Sequence, residues 1–167
     1  MLDNSKNTIP NFIIKDATPG DASLILSFIH QIAEYEKLSH EVIANIDDVK
    51  RLFFCENPKV FCMFGFYNEV AVGYAVYFYN FSTFLCKHGL YLEDLFVKPD
   101  YRGKGFGKSL LLHLSRIALL NNCGRMEWIV LDWNTPAMNF YKSLHAKPLD
   151  EWTTFRLTEN ELQLLQS

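Results

Sequence analysis

The stretch from Leu90 to Lys108 constrains the fold of this chain more than any other part of its sequence. An apolar segment that carries two acidic residues, Tyr91 to Val97, runs into a Pro-Asp turn, and the pattern Arg102-x-x-Gly105-x-Gly107 follows it. Three glycines in five residues let the backbone approach a ligand closely and adopt dihedral angles that other residues avoid. We therefore predict a strand, a glycine turn (residues 102 to 108) and a helix whose free N–H groups bind a phosphate or pyrophosphate.

Single residues exclude two better-known phosphate motifs at this turn. A P-loop requires a glycine five residues before its Gly-Lys pair, and for Gly107-Lys108 that position is Arg102. A dinucleotide fingerprint that starts at Gly103 requires Gly or Ala at position 108, where this chain has lysine. The glycine turn is therefore neither a P-loop nor a dinucleotide-binding turn.

The composition indicates a globular chain that binds neither nucleic acid nor membrane. For 167 residues we predict a single domain, 1–167, and a formal charge of −3 argues against a nucleic-acid partner. The N-terminal residues are polar, so we expect no secretory signal, and no run reaches the ~18 apolar residues of a membrane span. The four cysteines show neither a C-x-x-C pair nor zinc-like spacing with histidine. We expect free thiols in a cytoplasmic protein and no metal site.

Hydrophobic periodicity predicts an α/β chain with a mixed sheet, in which hairpins occupy the first half and crossovers the second. We expect strands at 12–15, 60–67, 70–79, 91–97, 125–131 and 152–157, with an irregular stretch at 80–88. Helices are predicted from Ala22 to about Lys37, over 46–54, from the glycine turn to a cap at Gly124, after Asn134, and after the capping box of Thr158 and Glu161.

The strand, the pattern R-x-x-G-x-G and the following helix together resemble the acyl-CoA-binding motif of the GNAT superfamily of N-acetyltransferases. The predicted order of elements resembles the GNAT fold as well. Within that superfamily the chain is most similar to the diamine acetyltransferases, a branch that includes spermidine/spermine and thialysine acetyltransferases. The similar stretches are Ile32 to Glu36, Leu90 to Val97, Asp100 to Gly107 and Trp133 to Lys142.

This resemblance implies acetyl-CoA as the cofactor. The strand that ends at Val97 would bind the pantetheine arm through its backbone, as an added strand would. The amides of the glycine turn would hold the pyrophosphate, Arg102 would add positive charge, and Asn134 and its helix would line the other side. The cofactor-binding residues implied are Leu95, Phe96, Val97, Arg102, Gly103, Lys104, Gly105, Phe106, Gly107, Lys108, Asn134 and Tyr141.

Acetyl transfer to an amine requires a base for the ammonium group and a proton for the departing thiolate. Glu93 is our candidate for the base or for an anchor of the amine, because it lies in an otherwise apolar strand beside the glycine turn. Adjacent side chains of a strand point to opposite faces, so we expect Asp94 either to support the site from the other face or to surround the ammonium group together with Glu36 and Glu93. The resemblance implies that Tyr141 protonates the thiolate and that Tyr35 and Glu36 contact the acceptor.

The chain departs from this branch in two places. The family usually has glycine near position 145, whereas this chain has His145, a residue that can adopt the left-handed conformation of a helix end. The polyamine enzymes have an aspartate near the position where this chain, like the thialysine-type relatives, has Ser82-Thr83. Hydroxyl groups there can bind a polar far end of the acceptor, but they attract a distal ammonium less than a carboxylate does. We therefore expect lysine analogues such as thialysine, or short diamines, to be better acceptors than spermine.

The leading hypothesis is an enzyme that transfers acetyl from acetyl-CoA to the primary amine of a small cation, by direct attack in a ternary complex. A covalent cysteine route is disfavoured, because no cysteine lies in these motifs beside a base. Two alternatives remain open: acetylation of a protein lysine or N-terminus, and a non-catalytic module that senses acyl-CoA. The resemblance also implies a homodimer.

Overall fold

The structure is a computed structural model that describes residues 9–166. The chain divides into two compact units, Met1–Ile129 and Val130–Ser167, and each is described by itself. In the first unit lie β1 (Phe12–Asp16), α1 (Ala22–Glu36), α2 (Ile46–Phe53), β2 (Val60–Tyr67), β3 (Val70–Ser82), β4 (Lys87–Val97), α3 (Phe106–Leu120) and β5 (Arg125–Glu127). In the second lie α4 (Thr135–Ser143) and α5 (Glu159–Leu164).

The first unit is built on one mixed sheet of five strands in the order β1-β2-β3-β4-β5. The first four strands pair antiparallel, and β5 pairs parallel with β4. The hairpin between β2 and β3 turns at Asn68 and Glu69, whose φ angles of 47° and 65° suit a two-residue hairpin turn. The predicted mixed α/β sheet is confirmed.

Helices cover both faces of this sheet. The apolar side of α1 places Ile25 and Phe28 against Phe64 and Tyr74, and all four side chains are almost fully buried. On the other face, Leu110 of α3 lies close to Gly65 and Gly73, where a Cβ atom on Gly73 would come within 3.2 Å of Leu110 Cδ1. The glycines of the central strands therefore let α3 approach the sheet closely.

Several predicted boundaries are wrong in the region of β3 to β5. The irregular stretch expected at 80–88 is shorter, because β3 continues to Ser82 and β4 begins at Lys87. The helix expected to reach Gly124 ends at Leu120, and the Gly124 N–H instead donates to His88 O on β4.

The last two strands of the prediction also differ from the structure. The strand expected over 125–131 spans only Arg125–Glu127, and it pairs with residues 89 to 91 of β4. The strand expected at 152–157 is absent from the described residues of the second unit. A strand forms only where another strand pairs with it, and neither of these segments has such a neighbour along its full length.

The remaining elements agree with the predictions to within one or two residues. The capping box at Thr158 is present, since the Thr158 N–H donates to Glu161 Oε2 at 2.6 Å. None of the helices in residues 9–166 combines the length and the apolar composition of a membrane span. The prediction of a single domain stays a prediction.

Candidate active site

A β-bulge interrupts β4 at the centre of the candidate site. Val76 of β3 pairs with Asp94, and the next residue, Tyr77, pairs with Leu92, so Glu93 is the extra residue that β4 inserts at this point of the register. A bulge bends its strand and increases the local twist. The pairing of β4 with β5 ends at Tyr91, just before this bulge. The edge of β4 after Tyr91 (the open edge, residues 92 to 97) is therefore paired with no strand of the described sheet.

The backbone of Leu95 and Val97 faces this open edge. The Lys98 N–H donates to Val72 O of β3 at 2.9 Å, and backbone groups of successive residues in a strand point alternately to its two sides. Val97 and Leu95 therefore direct their N–H and C=O groups away from β3. Arg102 Nε donates to Val97 O at 2.9 Å and so fixes the glycine turn to the end of this edge. An extended ligand can pair with such an edge as an added strand does.

The glycine turn has the backbone that its sequence predicts. Gly103 and Gly105 have φ angles of 75° and 85°, which residues with a Cβ atom rarely adopt. Gly105 is the residue before α3, no side chain caps the helix there, and the first helical bond runs from Ser109 N–H to Gly105 O. The N–H groups of the first turn of α3 therefore have no side-chain cap and point at an exposed turn. Phe106 is buried and its ring stacks on Phe12 at 4.4 Å, which anchors the start of the helix.

A cleft of about 390 Å³ lies beside the bulge, at the C-terminal end of α1. We call it the acidic cleft, because four carboxylates line it together with an apolar wall. Its lining residues are Ile29, Ile32, Ala33, Glu36, Leu38, Glu41, Val42, Ile43, Ala44, Glu93 and Asp94. The volume is typical of a site for a small molecule.

Glu93 and Asp94 line the same cleft, whereas the alternation of side chains along a strand predicts that they lie on opposite faces. The reason is the bulge, in which two residues of one strand stand opposite a single residue of its partner. Simple alternation of side chains is lost at that position. Both carboxylates are thereby brought to the cleft that Glu36 lines from the last turn of α1.

Burial and mutual repulsion set the electrostatics of this cleft. Burial raises the pKa of Asp94, and a hydrogen bond of 2.5 Å from Tyr74 Oη to Asp94 Oδ2 opposes that rise. Burial and, second, the charge of Asp94 raise the pKa of Glu36. Among the ion pairs of the described residues, none involves Glu36 or Asp94. Two partly buried carboxylates without a cation make this cleft suited to a cationic ligand.

Tyr35 and Arg102 connect α1 with the glycine turn. The Arg102 guanidinium lies 4.3 Å from the centroid of the Tyr35 ring and 5.4 Å from that of Phe96. These cation–π contacts hold the start of the glycine turn against the end of α1. The acidic cleft and the glycine turn thus both adjoin the end of α1 and the segment of β4 at residues 93 to 97.

The structure does not bring Ser82 and Thr83 into the acidic cleft. Ser82 lies six residues beyond Val76 along β3, a distance of about 20 Å at the usual rise of a strand. The Ser82 side chain is buried, and its Oγ accepts a hydrogen bond from the Leu85 N–H at 3.3 Å. That hydroxyl closes the turn between β3 and β4. A contact of these two residues with the acceptor stays a prediction, and the geometry of the single chain disfavours it.

The other residues that the sequence predicts for the site lie in the second unit. Asn134 Oδ1 accepts from the Ala137 N–H at 3.3 Å and caps α4, whose first turn contains Pro136. Tyr141 lies on α4, with its ring 5.2 Å from that of Phe140. His145 has a φ of 66°, so it does adopt the left-handed conformation of a helix end. The roles of Asn134 and Tyr141 remain predictions.

Sequence reasoning missed two residues of the cleft region, Tyr74 and Glu41. Tyr74 lies in an apolar run of β3 and carries no signal that separates it from a core aromatic residue. Glu41 lies in a 3₁₀ turn after α1, where its Oε1 is 3.2 Å from His40 Nε2. Only the fold brings these residues near Asp94 or into its cleft.

Comparison with known proteins agrees with this geometry. The model of the Acetyltransferase (GNAT) family matches residues 29–146. The chain is 36% identical to a thialysine N-epsilon-acetyltransferase of Sus scrofa, over 86% of this chain and 91% of that protein. It is 30% identical to an L-ornithine N5-acetyltransferase of Arabidopsis thaliana, over 91% of this chain and 86% of that protein. An integron cassette protein from the mobile metagenome of V. cholerae has a similar structure, with a TM-score of 0.78 at 27% identity, covering 93% of this chain and 98% of that one.

Proposed function

This chain belongs to the Acetyltransferase (GNAT) family, and we propose that its acceptor is a lysine analogue, ornithine or a short diamine. The chain is an N-acetyltransferase that acts on a small amine. The acceptor in this proposal is a small cation. The acetyl donor is acetyl-CoA, which binds on the open edge and the glycine turn. Relatives that are named for thialysine and ornithine support the choice of acceptor.

The observation that carries the proposal is the acidic cleft beside the open edge. Glu36, Glu93 and Asp94 line it together with aliphatic side chains such as Ile29 and Ile32. A primary amine is mostly protonated at neutral pH, so the carboxylates would bind its ammonium group and the aliphatic wall its methylene chain. Glu36 also ends α1, and the C-terminal end of a helix attracts cations.

The first unit also has the features that an acyl-CoA requires. The open edge offers backbone groups at Leu95 and Val97 to the amide-containing arm, and the glycine turn offers the uncapped N–H groups of α3 to the pyrophosphate. The exposed Lys104 and Lys108 add positive charge at this turn. When bound, acetyl-CoA supplies an acetyl thioester whose C–S bond breaks as the new C–N bond forms.

The residues of the chain would handle two protons. Glu93 would accept one from the ammonium group, directly or through a water molecule, because only the neutral nitrogen has a lone pair for attack. Tyr141 would give its hydroxyl proton to the leaving sulfur, as the family resemblance implies, and the second proton that the nitrogen loses as the amide forms would restore that hydroxyl. Asn134 would line the donor site through the start of α4. The acetyl group would pass directly from donor to amine in a ternary complex.

A screen of acetyl-CoA consumption tests the choice of acceptor. The panel contains thialysine, ornithine, short diamines, spermidine, spermine, and peptides with a free lysine or N-terminus. We expect kcat/KM to be highest for lysine analogues, ornithine or short diamines. A higher value for spermine would contradict the proposed acceptor size, and a higher value for a peptide would favour a protein acetyltransferase. Binding of acetyl-CoA without turnover of any amine would favour an acyl-CoA-sensing module.

We further propose a cytoplasmic homodimer. Free cysteines at positions 55, 62, 86 and 123 support a reducing location. Exposed apolar side chains at the turn between β3 and β4, among them Phe84 and Leu85, support an association of copies. Analytical ultracentrifugation across a concentration series tests the dimer, and a monomer at all concentrations would contradict it.

A further inference from the structure

Tyr74 is a titratable side chain that the proposed mechanism leaves unused. Its side chain is fully buried, and its ring stacks on Phe28 of α1 with centroids 4.9 Å apart. If this side chain only packed in the core, a phenylalanine could fill the same position. The hydroxyl instead donates to Asp94 Oδ2 across the β3–β4 ladder, at 2.5 Å. A short bond from a buried hydroxyl to a carboxylate belongs to the strong class of hydrogen bonds.

The position of this bond connects the core with the acidic cleft. Tyr74 pairs with Phe96 and Val76 with Asp94, so these four residues share the face of the sheet that α1 covers. One oxygen of Asp94 is held from the core side, while the residue also lines the cleft. A ligand in the cleft would then meet the other oxygen. The bulge at Glu93 sets the register that makes this arrangement possible.

We propose that Tyr74 is a positioning residue for the acceptor amine: its hydroxyl orients the Asp94 carboxylate so that the second oxygen faces the ammonium group. This inference rests on the proposed function, because it requires that the acceptor bind in the acidic cleft. Tyr74 itself touches neither substrate. It acts through Asp94, in the way that outer residues orient the ligands of other functional sites.

The surroundings of Asp94 explain why such a donor is needed. The acidic and titratable groups near it are Glu36 on α1, Glu41 on the following turn, Glu93 on the bulge, Cys62 on β2 and Tyr74 on β3. Among these groups Tyr74 donates a hydrogen bond to Asp94, whereas an ionised carboxylate beside Asp94 disfavours its charged form. Burial raises the pKa of Asp94, and the Tyr74 bond lowers it. Loss of the hydroxyl therefore disfavours the charged carboxylate that attracts the amine.

The substitution Tyr74→Phe tests the proposal, because it removes the hydroxyl and keeps the ring on Phe28. We expect kcat/KM for the acceptor to fall by about 10- to 100-fold, the factor that corresponds to a hydrogen bond to a charged group. The KM for acetyl-CoA should change less than about twofold, and the acidic limb of the acceptor kcat/KM profile should move to higher pH. In an Asp94→Asn background the same substitution should have little further effect, because the two residues act as one unit.

The matched control is Tyr77→Phe. Tyr77 is also a buried tyrosine of β3, and it stacks on Phe61 at 5.3 Å instead of meeting Asp94. Equal losses for the two variants would assign Tyr74 a packing role and overturn the proposal. An undiminished effect of Tyr74→Phe in the Asp94→Asn background would also overturn it.

A second measurement separates this inference from the proposed function. The pH titration of the Asp94 carboxyl can be followed by carbon NMR in the wild type and in Tyr74→Phe, without any substrate. A shift of this titration to higher pH in the variant is expected. If the shift occurs and no small amine is acetylated, Tyr74 organises Asp94 but the proposed acceptor is wrong. If amines are acetylated and the titration does not move, the role of Tyr74 is wrong and the proposed function stands.

Discussion

The glycine turn and the acidic cleft lie next to each other in the first unit but are held by different means. The glycine turn takes its shape from residues that follow one another in the chain, with positive φ angles at Gly103 and Gly105 and a helix that begins at once. The cleft is assembled from the end of α1, a bulge of β4 and the turn after α1. A local backbone motif can be recognised in the sequence, whereas a site of this second kind depends on register and packing.

Substitution of Tyr141 by Phe is expected to have the largest effect and to leave both regions intact. If its hydroxyl protonates the thiolate, kcat should fall by roughly 10²–10⁴-fold, the range for loss of a general acid. The KM values for amine and acetyl-CoA should stay nearly constant. Steady-state kinetics checks this, and Phe140→Leu on the same helix is the control for packing. A loss in kcat below about threefold would assign Tyr141 a packing role.

Substitution of Gly105 by Val should affect only the glycine turn and its binding of acetyl-CoA. Valine is strained at a φ of 85° and would also displace the backbone that approaches the ligand. We expect acetyl-CoA affinity to fall by about 10²-fold, as for a misplaced binding group. Calorimetry measures the affinity, and circular dichroism verifies the fold. Gly20→Ala is the control, because a Cβ atom there meets only Thr18 Oγ1 at 3.7 Å. Unchanged affinity of a folded Gly105→Val protein would contradict the donor site.

Substitution of Glu36 by Gln should affect only the acidic cleft and its binding of the acceptor amine. It removes a partly buried charge from the cleft, so we expect the acceptor KM to rise by about 10-fold, near the lower limit for a charged hydrogen bond. Acetyl-CoA affinity should not change. The exposed Glu34, two residues earlier on α1, provides the control Glu34→Gln. If both glutamine variants raised the acceptor KM equally, general electrostatic attraction rather than the cleft would bind the amine.

The smallest expected effect concerns pH and stability. Burial raises the pKa of Asp94, so the folded state binds its proton more tightly than the unfolded state. Ionised Asp94 therefore destabilises the fold at neutral pH, and this cost disappears as the pH falls through the raised pKa. We expect Asp94→Asn to be more stable than the wild type at pH 7 and to lose that advantage towards pH 4. Urea unfolding at several pH values checks this. A constant difference would contradict a raised pKa.

Much of the fold and half of the candidate site could be predicted from the sequence. Hydrophobic periodicity located α1, α2 and the β2–β3 hairpin, and the glycine pattern located the start of α3. The strand predicted at 152–157 was wrong, because alternation of apolar residues indicates a strand only where a partner is present. The residues of a segment do not specify which other strand will pair with it.

The acidic cleft shows the same limit at the level of single side chains. The sequence identified Glu36, Glu93 and Asp94 as candidates, but it predicted opposite faces for the last two. The bulge overturned that prediction, because one extra residue in β4 shifts the alternation. Nothing in the sequence distinguished Tyr74 from a core tyrosine, since its role depends on a cross-strand contact 20 residues away in sequence.

The sequence by itself determined the family, the glycine turn with its positive φ angles and the helix that follows it. These features depend on residues near one another in the chain, where the steric freedom of glycine and helix periodicity act directly. Only the tertiary structure decided that the edge of β4 after Tyr91 is open, that both acidic residues of the bulge line one cleft, and that a core tyrosine bonds to Asp94. Strand register and packing between distant segments set these features, and both arise only when the whole sheet has formed.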